Sequence, residues 1–320
     1  MAPRPSRRAA ATKPKKAKVS AAKAPKATKV AKATKAKAPK AKATKATKKA
    51  QATKAKTTKA KATRAERAAG AAKAVTKSAA KARTVVPTPA QKALLAELQA
   101  VVINLDGRMD RWLACEKKLH SKVPGLRVDR LSATDGRVAA IETNLVTGSW
   151  HTRQLATYCP WYKPVGLKMS GGERGCAHSH LRCWELAQKL RKPLVVFEDD
   201  AVPLPGFVPQ LAAAWKEAAG RYDIIFLTSK DRFTPKKIPG CKAIVSPAFA
   251  WTTVGYIVTP AGANKLLTML PVDQPVDNFL AIAICEGRLK ACSMRPSVVR
   301  QANTWNVGSD VPHSDDVAHW

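Results

Sequence analysis

The sequence predicts an α/β protein in which a mostly parallel sheet lies between two helical layers, preceded by a disordered basic tail. Three observations carry this. Apolar runs at 101–105, 194–197 and 224–227 have strand length and no polar face, as expected of strands covered on both sides. Segments of helical spacing alternate with them, and strand–helix alternation at this interval gives a parallel sheet in three layers. The net charge of +35 is unevenly spread: residues 1–90 hold 28 Lys or Arg and one acid, Glu66, whereas residues 91–320 hold 29 basic and 21 acidic residues.

The tail, 1–90, repeats Lys, Ala, Thr and Pro in units such as Lys-Ala-Thr-Lys and has almost no large apolar side chain. It cannot bury a core and is expected to be disordered. Its composition resembles linker-histone tails. Independently of that, dense lysine releases counterions from phosphate, so a nucleic-acid partner is expected, bound without base reading because aromatics are missing. The first thirty residues are basic throughout, with no apolar core of about 7–15 residues, so no secretory signal is expected. A cytoplasmic or nuclear location fits, and an organelle-targeting leader stays open. No apolar stretch approaches the roughly 18 residues of a membrane span. Seven scattered cysteines without CxxC spacing suggest free thiols.

Within 91–320 the elements follow in order. "QKALLAELQA" reads as a short helix, and the run at 101–105 as a buried strand that turns polar at Asp106-Gly107 and feeds a helix. "PGLRVDRLSATDG" suggests a second strand, and 142–172, with scattered aromatics, Gly and Pro, an irregular loop. Residues 173–190 form a helix with Cys176, His180, Cys183, Ala187 and Leu190 near one face. "PLVVFED" is a strand, "FVPQLAAAWKEAAG" a helix stopped by Gly220, and "YDIIFLT" a strand. An extended pair precedes a helix from Pro260, and "DNFLAIAICEGRLKACSM" gives a helix and then a strand or coil. Neither a GxGxxG after the first strand nor a GxxxxGK[ST] occurs, so dinucleotide and P-loop sites are not expected.

In open α/β sheets ligands sit beyond the C-terminal strand ends. Asp106 and the acids Glu198, Asp199 and Asp200 stand at such ends. Alternation along an extended segment lets Glu198 and Asp200 face one side, and two carboxylates there suit a hard cation, Mg²⁺ or Mn²⁺. The bland alternative is a solvated acidic turn before Pro203.

These residues carry a resemblance. "VVINLDGRMDRW", "GGERGCAHSHLRCWELA", "PLVVFEDDAVPLPGF", "TTVGYIVTPAGANKLL", "PVDQPVDNFL" and the closing "PSVVRQ" with "HSD" at 313–315 are similar, in order, to glycosyltransferase family 25, over about 101–316. The family includes lipopolysaccharide sugar transferases and collagen galactosyltransferases. The resemblance implies a GT-A-type fold, a nucleotide-sugar donor, a divalent cation and inversion at the anomeric carbon. It places Glu198 and Asp200 on the cation, with Asp199 as alternative and His313 or Asp315 as a further contact. Asp316 departs from the family's usual apolar residue there. The donor candidates are Asn104, Asp106, Arg108 and Arg111, with a helix-capping Asp106 and a surface Arg111 as alternatives. Ser179 and His180 are further donor candidates, and His180 is equally open as a buried structural histidine. Trp150, Tyr158, Trp161 and Tyr162 are either a sugar-facing platform or loop anchors. Asp277, at a helix start, matches the family's acid and is the expected base, with Asp273 as second choice and simple capping as the alternative. The acceptor implied is a glycan or hydroxylated protein. The competing class is a non-enzymatic nucleic-acid binder built on a degenerate transferase scaffold.

Overall fold

The computed structural model describes residues 86–302 and 311. The tail up to residue 85, His313 and Asp315 lie outside the described residues. In chain order the elements are α1 (Pro89–Glu97), β1 (Gln99–Asn104), a 3₁₀ turn (Asp106–Arg108), α2 (Met109–Lys122), β2 (Arg127–Ser132), β3 (Ser149–His151), α3 (Arg153–Tyr158), β4 (Gly166–Lys168) and α4 (Gly171–Leu190). There follow β5 (Leu194–Glu198), β6 (Ala201–Pro203), α5 (Phe207–Ala218), β7 (Ile224–Phe226), β8 (Lys230–Asp231), β9 (Lys236–Lys237), β10 (Ile244–Ser246) and β11 (Ala250–Trp251). The last are β12 (Gly255–Val258), α6 (Pro260–Thr268), α7 (Val276–Cys285), β13 (Ala291–Met294) and β14 (Val299–Gln301).

Helix starts follow the local chemistry. Thr88 caps α1 in a reciprocal pair with Gln91, with Pro89 at the first helical position. The helix therefore begins ahead of the 90/91 boundary read from composition. Ser170 caps α4 in the same way: its hydroxyl accepts from Glu173 N at 3.1 Å, and the Glu173 carboxylate accepts from Ser170 N at 2.7 Å. Gly220 lies just past α5 with φ of 72°, the left-handed conformation that glycine adopts without strain.

The central sheet has eight strands in the order β2-β1-β5-β12-β7-β13-β10-β9. Six run one way, and β12 and β10 run against them. Its buried side chains alternate with period two. Val101, Ile103, Leu194, Val196, Ile224, Phe226, Tyr256 and Val258 join one core with α4, α6 and α7. Ala100, Val102, Val195, Phe197, Ile225 and Ile257 join the other with α2 and α5. This is the physical content of the unbroken apolar runs: both strand faces are buried. The segment 142–172 is more ordered than its composition suggested. It forms the β3–β4 pair and α3, and Trp150 and Tyr162 are buried in the first core.

β12 runs antiparallel to both neighbours, so its start meets the end of β5: Gly255 pairs with Phe197, and Glu198 N donates to Val254 O at 3.1 Å. The C-terminal ends of β1, β2, β5 and β7 and the N-terminal end of β12 thus share one edge of the sheet. Beyond it, β14 pairs with β6 and brings Gln301 beside Ala201.

Candidate active site

A cavity of about 580 Å³ opens at this edge, within the range of small-molecule sites. β5 delivers Glu198 to it, and the turn into β6 delivers Asp199 and Asp200, so all three acids line it. Simple strand alternation would have turned Asp199 away. The turn keeps it in.

Each acid has different support. The Thr253 hydroxyl donates to Glu198 Oε1, and His180 Nε2 lies 3.5 Å from the same oxygen. Burial pushes the Glu198 carboxyl up, but the adjacent His180 ring and the hydrogen bond from Thr253 outweigh it and hold the group below its usual range. Asp199 pairs with Arg111 and accepts from Asn104 Nδ2 at 2.7 Å, yet burial keeps its carboxyl above the ordinary value. Asp200 accepts from Gln301 Nε2 at 3.0 Å, with Arg111 3.9 Å away. Burial and the neighbouring Glu198 charge push it up to about 6. Its Oδ1 is buried without a hydrogen-bond partner.

That unpartnered oxygen tests the fit of a cation. A buried charged acceptor left unsatisfied is costly. Three carboxylates around one guanidinium leave excess negative charge in a cleft, and oxygen donors of this kind suit Mg²⁺ or Mn²⁺. The residues fit the ion. Among the described residues, the grouping that brings three potential ligand atoms within 4.8 Å of one another is Cys176, His180 and Glu198. Burial pushes the Cys176 thiol well up, which disfavours the thiolate that binds metals. The acidic triplet does not form such a three-ligand grouping among the described residues.

The structure divides the other candidates. Arg111, Ser179 and Asp277 line the cavity with the triplet. Asn104 is buried behind it and supports Asp199, while its Oδ1 accepts from Arg130 Nε at 2.9 Å. Asp106 is an exposed partner of Arg130 and Ser132, which hold its carboxyl below the usual range. Arg108 pairs with Asp110 at 3.2 Å. Ser179 is a clamp: its hydroxyl donates to Gly175 O at 2.7 Å and accepts from Thr134 N at 2.9 Å, fixing the loop after β2 to α4. His180 is fully buried between Glu198 and the Tyr256 hydroxyl, 2.9 Å from Nδ1. Asp277 lies in the first turn of α7, and its Oδ1 accepts from Asn278 N at 2.9 Å. Asp273 lines a separate, smaller cavity with His151, Arg153, Gln154 and Gln274. Of the four aromatics, Tyr162 is buried but lines the cavity, Trp161 is exposed at 38%, Trp150 is core and Tyr158 packs on Phe249.

Sequence reading missed Gln301, Thr253 and Asp231, all of which line the cavity. Gln301 and Thr253 reach the triplet from 101 and 55 residues away. Both fall inside the similar segments, "TTVGYIVTPAGANKLL" and "PSVVRQ", but nothing in those segments marks either residue as a partner of the triplet.

Residues 98–280 match the family model described as glycosyltransferase family 25 (LPS biosynthesis protein). The chain belongs to this family. It is 31% identical over 206 residues to a glycosyltransferase 25 family member of Anopheles gambiae, covering 62% of this chain and 33% of that protein. It is 26% identical over 203 residues to procollagen galactosyltransferase 1 of Danio rerio, covering 61% and 32%. It is also 32% identical over 197 residues to a probable inactive glycosyltransferase 25 family member 3 of Bos taurus, covering 58% and 31%. The chain thus spans about a third of the length of the curated relatives it matches. Among the described residues no helix is long and apolar enough to cross a membrane, and all seven cysteines are unpaired.

Proposed function

We propose that residues 91–320 form a GT-A-like, metal-dependent inverting glycosyltransferase that moves a sugar, galactose being the first to test, from a nucleotide-sugar donor to a hydroxyl acceptor on a glycan or hydroxylated protein. The observation that carries this is the triplet at the end of β5, lining a ligand-sized cavity with Asp200 Oδ1 unsatisfied. Family membership supports the reaction class.

Glu198 and Asp200 would hold the cation, Mn²⁺ or Mg²⁺, with Asp199 beside them. The ion supplies charge stabilisation for a departing nucleoside diphosphate. Arg111 sits between Asp199 and Asp200 and balances part of their charge. Thr253 and His180 keep Glu198 ionised and oriented. Asp277, on the cavity wall, is the candidate to take the proton from the acceptor hydroxyl. The basic tail, with 28 Lys or Arg, adds non-specific polyanion binding, nucleic acid first.

A second reading, a binder on an inactive scaffold, is favoured by one observation: a relative as similar as the others is named probable inactive. Incubating the full chain with a panel of UDP- and GDP-hexoses, with Mn²⁺ or with chelator, separates the two. A transferase releases nucleoside diphosphate in a metal-dependent way. A scaffold hydrolyses none of the panel.

A further inference from the structure

Asp231 is a carboxylate that the reading above does not use. It ends β8, opposite Ala250 of β11. Its side chain is only 4% exposed. One oxygen is anchored: Ser229 Oγ donates to Oδ2 at 2.7 Å, and Arg295 Nη2 lies 3.6 Å from the same atom. The other, Oδ1, is buried without a hydrogen-bond partner, and the residue lines the cavity. Such an oxygen calls for a donor that a ligand would bring.

The surroundings narrow the donor. Arg232 lays its guanidinium 3.5 Å from the Trp251 ring centroid, a flat surface beside Asp231. Asn278 of α7, 1% exposed, also lines the cavity with its Oδ1 unpartnered. Asp231 disfavours an anion, and Arg232 with Arg295 disfavours a bare cation. A neutral ring rich in hydroxyls satisfies both open oxygens and lays its C–H face on the flat surface.

Resting on the transferase reading, we infer that Asp231, Asn278 and the Arg232–Trp251 pair form the sugar subsite, with Asp231 Oδ1 accepting from a pyranose hydroxyl. The topology agrees. Arg111 and Asn104 approach the triplet from the β1 side, and β8 and β11 from the β12–β7 side. Lys230 Nζ donates to Gln301 Oε1 at 2.7 Å, and Gln301 donates on to Asp200, so this side is tied to the triplet. The ring belongs either to the donor or to a saccharide acceptor, and the test distinguishes them.

The full chain with Mn²⁺, as wild type and Asp231→Asn, is titrated calorimetrically with UDP, UDP-galactose, UDP-glucose and the two methyl glycosides. The expected result is UDP affinity within about twofold of wild type and a loss of about tenfold or more for a sugar-bearing ligand, the size of a lost charged hydrogen bond. Loss for the UDP-hexose places the ring on the donor. Loss for the methyl glycoside alone places it on the acceptor. Ser229→Ala, which keeps the charge but releases its anchor, should weaken the same ligand less, and it carries the test if Asp231→Asn melts early. Unchanged sugar affinity in the folded variants overturns the inference, as does an equal loss for UDP. If wild type binds neither these ligands nor GDP and GDP-hexoses titrated alongside them, the transferase reading itself falls, and this subsite with it.

Discussion

Gly175→Ala probes how the cavity wall is held. Gly175 lies in α4, backbone to backbone against the loop after β2. A Cβ there would meet Thr134 O at 2.4 Å and Gly136 N at 2.6 Å. Neither atom belongs to a flexible side chain, so the loop must retreat by about 0.6 Å or more to reach even a tight contact, and such overpacking costs about 1–3 kcal/mol. The alanine returns about 1 kcal/mol of helix propensity. The net loss is about 0–2 kcal/mol, or up to roughly 8 °C in melting temperature for a domain of this size. Activity should fall further, because Thr134, Asp135 and Gly136 line the cavity and a displacement near 1 Å can cost about 10²-fold in rate. Gly107→Ala is the control, since a Cβ there meets nothing within 4 Å. Thermal melts and donor turnover of both variants read the difference. If Gly175→Ala matches Gly107→Ala in both, the backbone clamp does not hold the wall.

Two further outcomes are expected. Asp277→Asn should lower kcat by about 10² or more with donor Kd and melting temperature unchanged, as for loss of a general base; a kcat within about threefold of wild type removes Asp277 from that role. Deleting residues 1–85, which keeps the Thr88 cap of α1, should leave donor turnover intact and abolish most DNA binding. The full chain's DNA affinity should drop by orders of magnitude between about 50 and 200 mM salt. Gel-shift titrations decide this, and undiminished binding by the shortened chain would place the nucleic-acid contacts on the domain.

The triplet was legible because β5 announces itself: four apolar residues followed by three acids is a strong local signal of a buried strand end. The two-layered core was legible for the same reason. The reversal of β12 was not, since a strand buried on both faces carries no mark of direction, yet that reversal brings Thr253 to Glu198. Gln301 and Asp231 reach the cavity only through the β14–β6 and β8–β11 pairings. The segment 142–172 looked irregular because of its Gly and Pro and its scattered aromatics, whereas Trp150 fills the core and Tyr162, also buried there, reaches the cavity. The Gly-Glu-x-Gly-Cys segment was a motif without a cause. The close approach at Gly175 and the Ser170–Glu173 cap supply one.

Mn²⁺ binding to the full chain in the presence of a nucleoside diphosphate, followed by the loss of the free-ion electron paramagnetic resonance signal, tests the carboxylate site most directly when wild type is set beside Asp200→Asn. Saturable binding by wild type, weakened about tenfold or more in the variant, is the expected result, in line with removing one charged ligand. Equal Mn²⁺ affinity in the two proteins would contradict it.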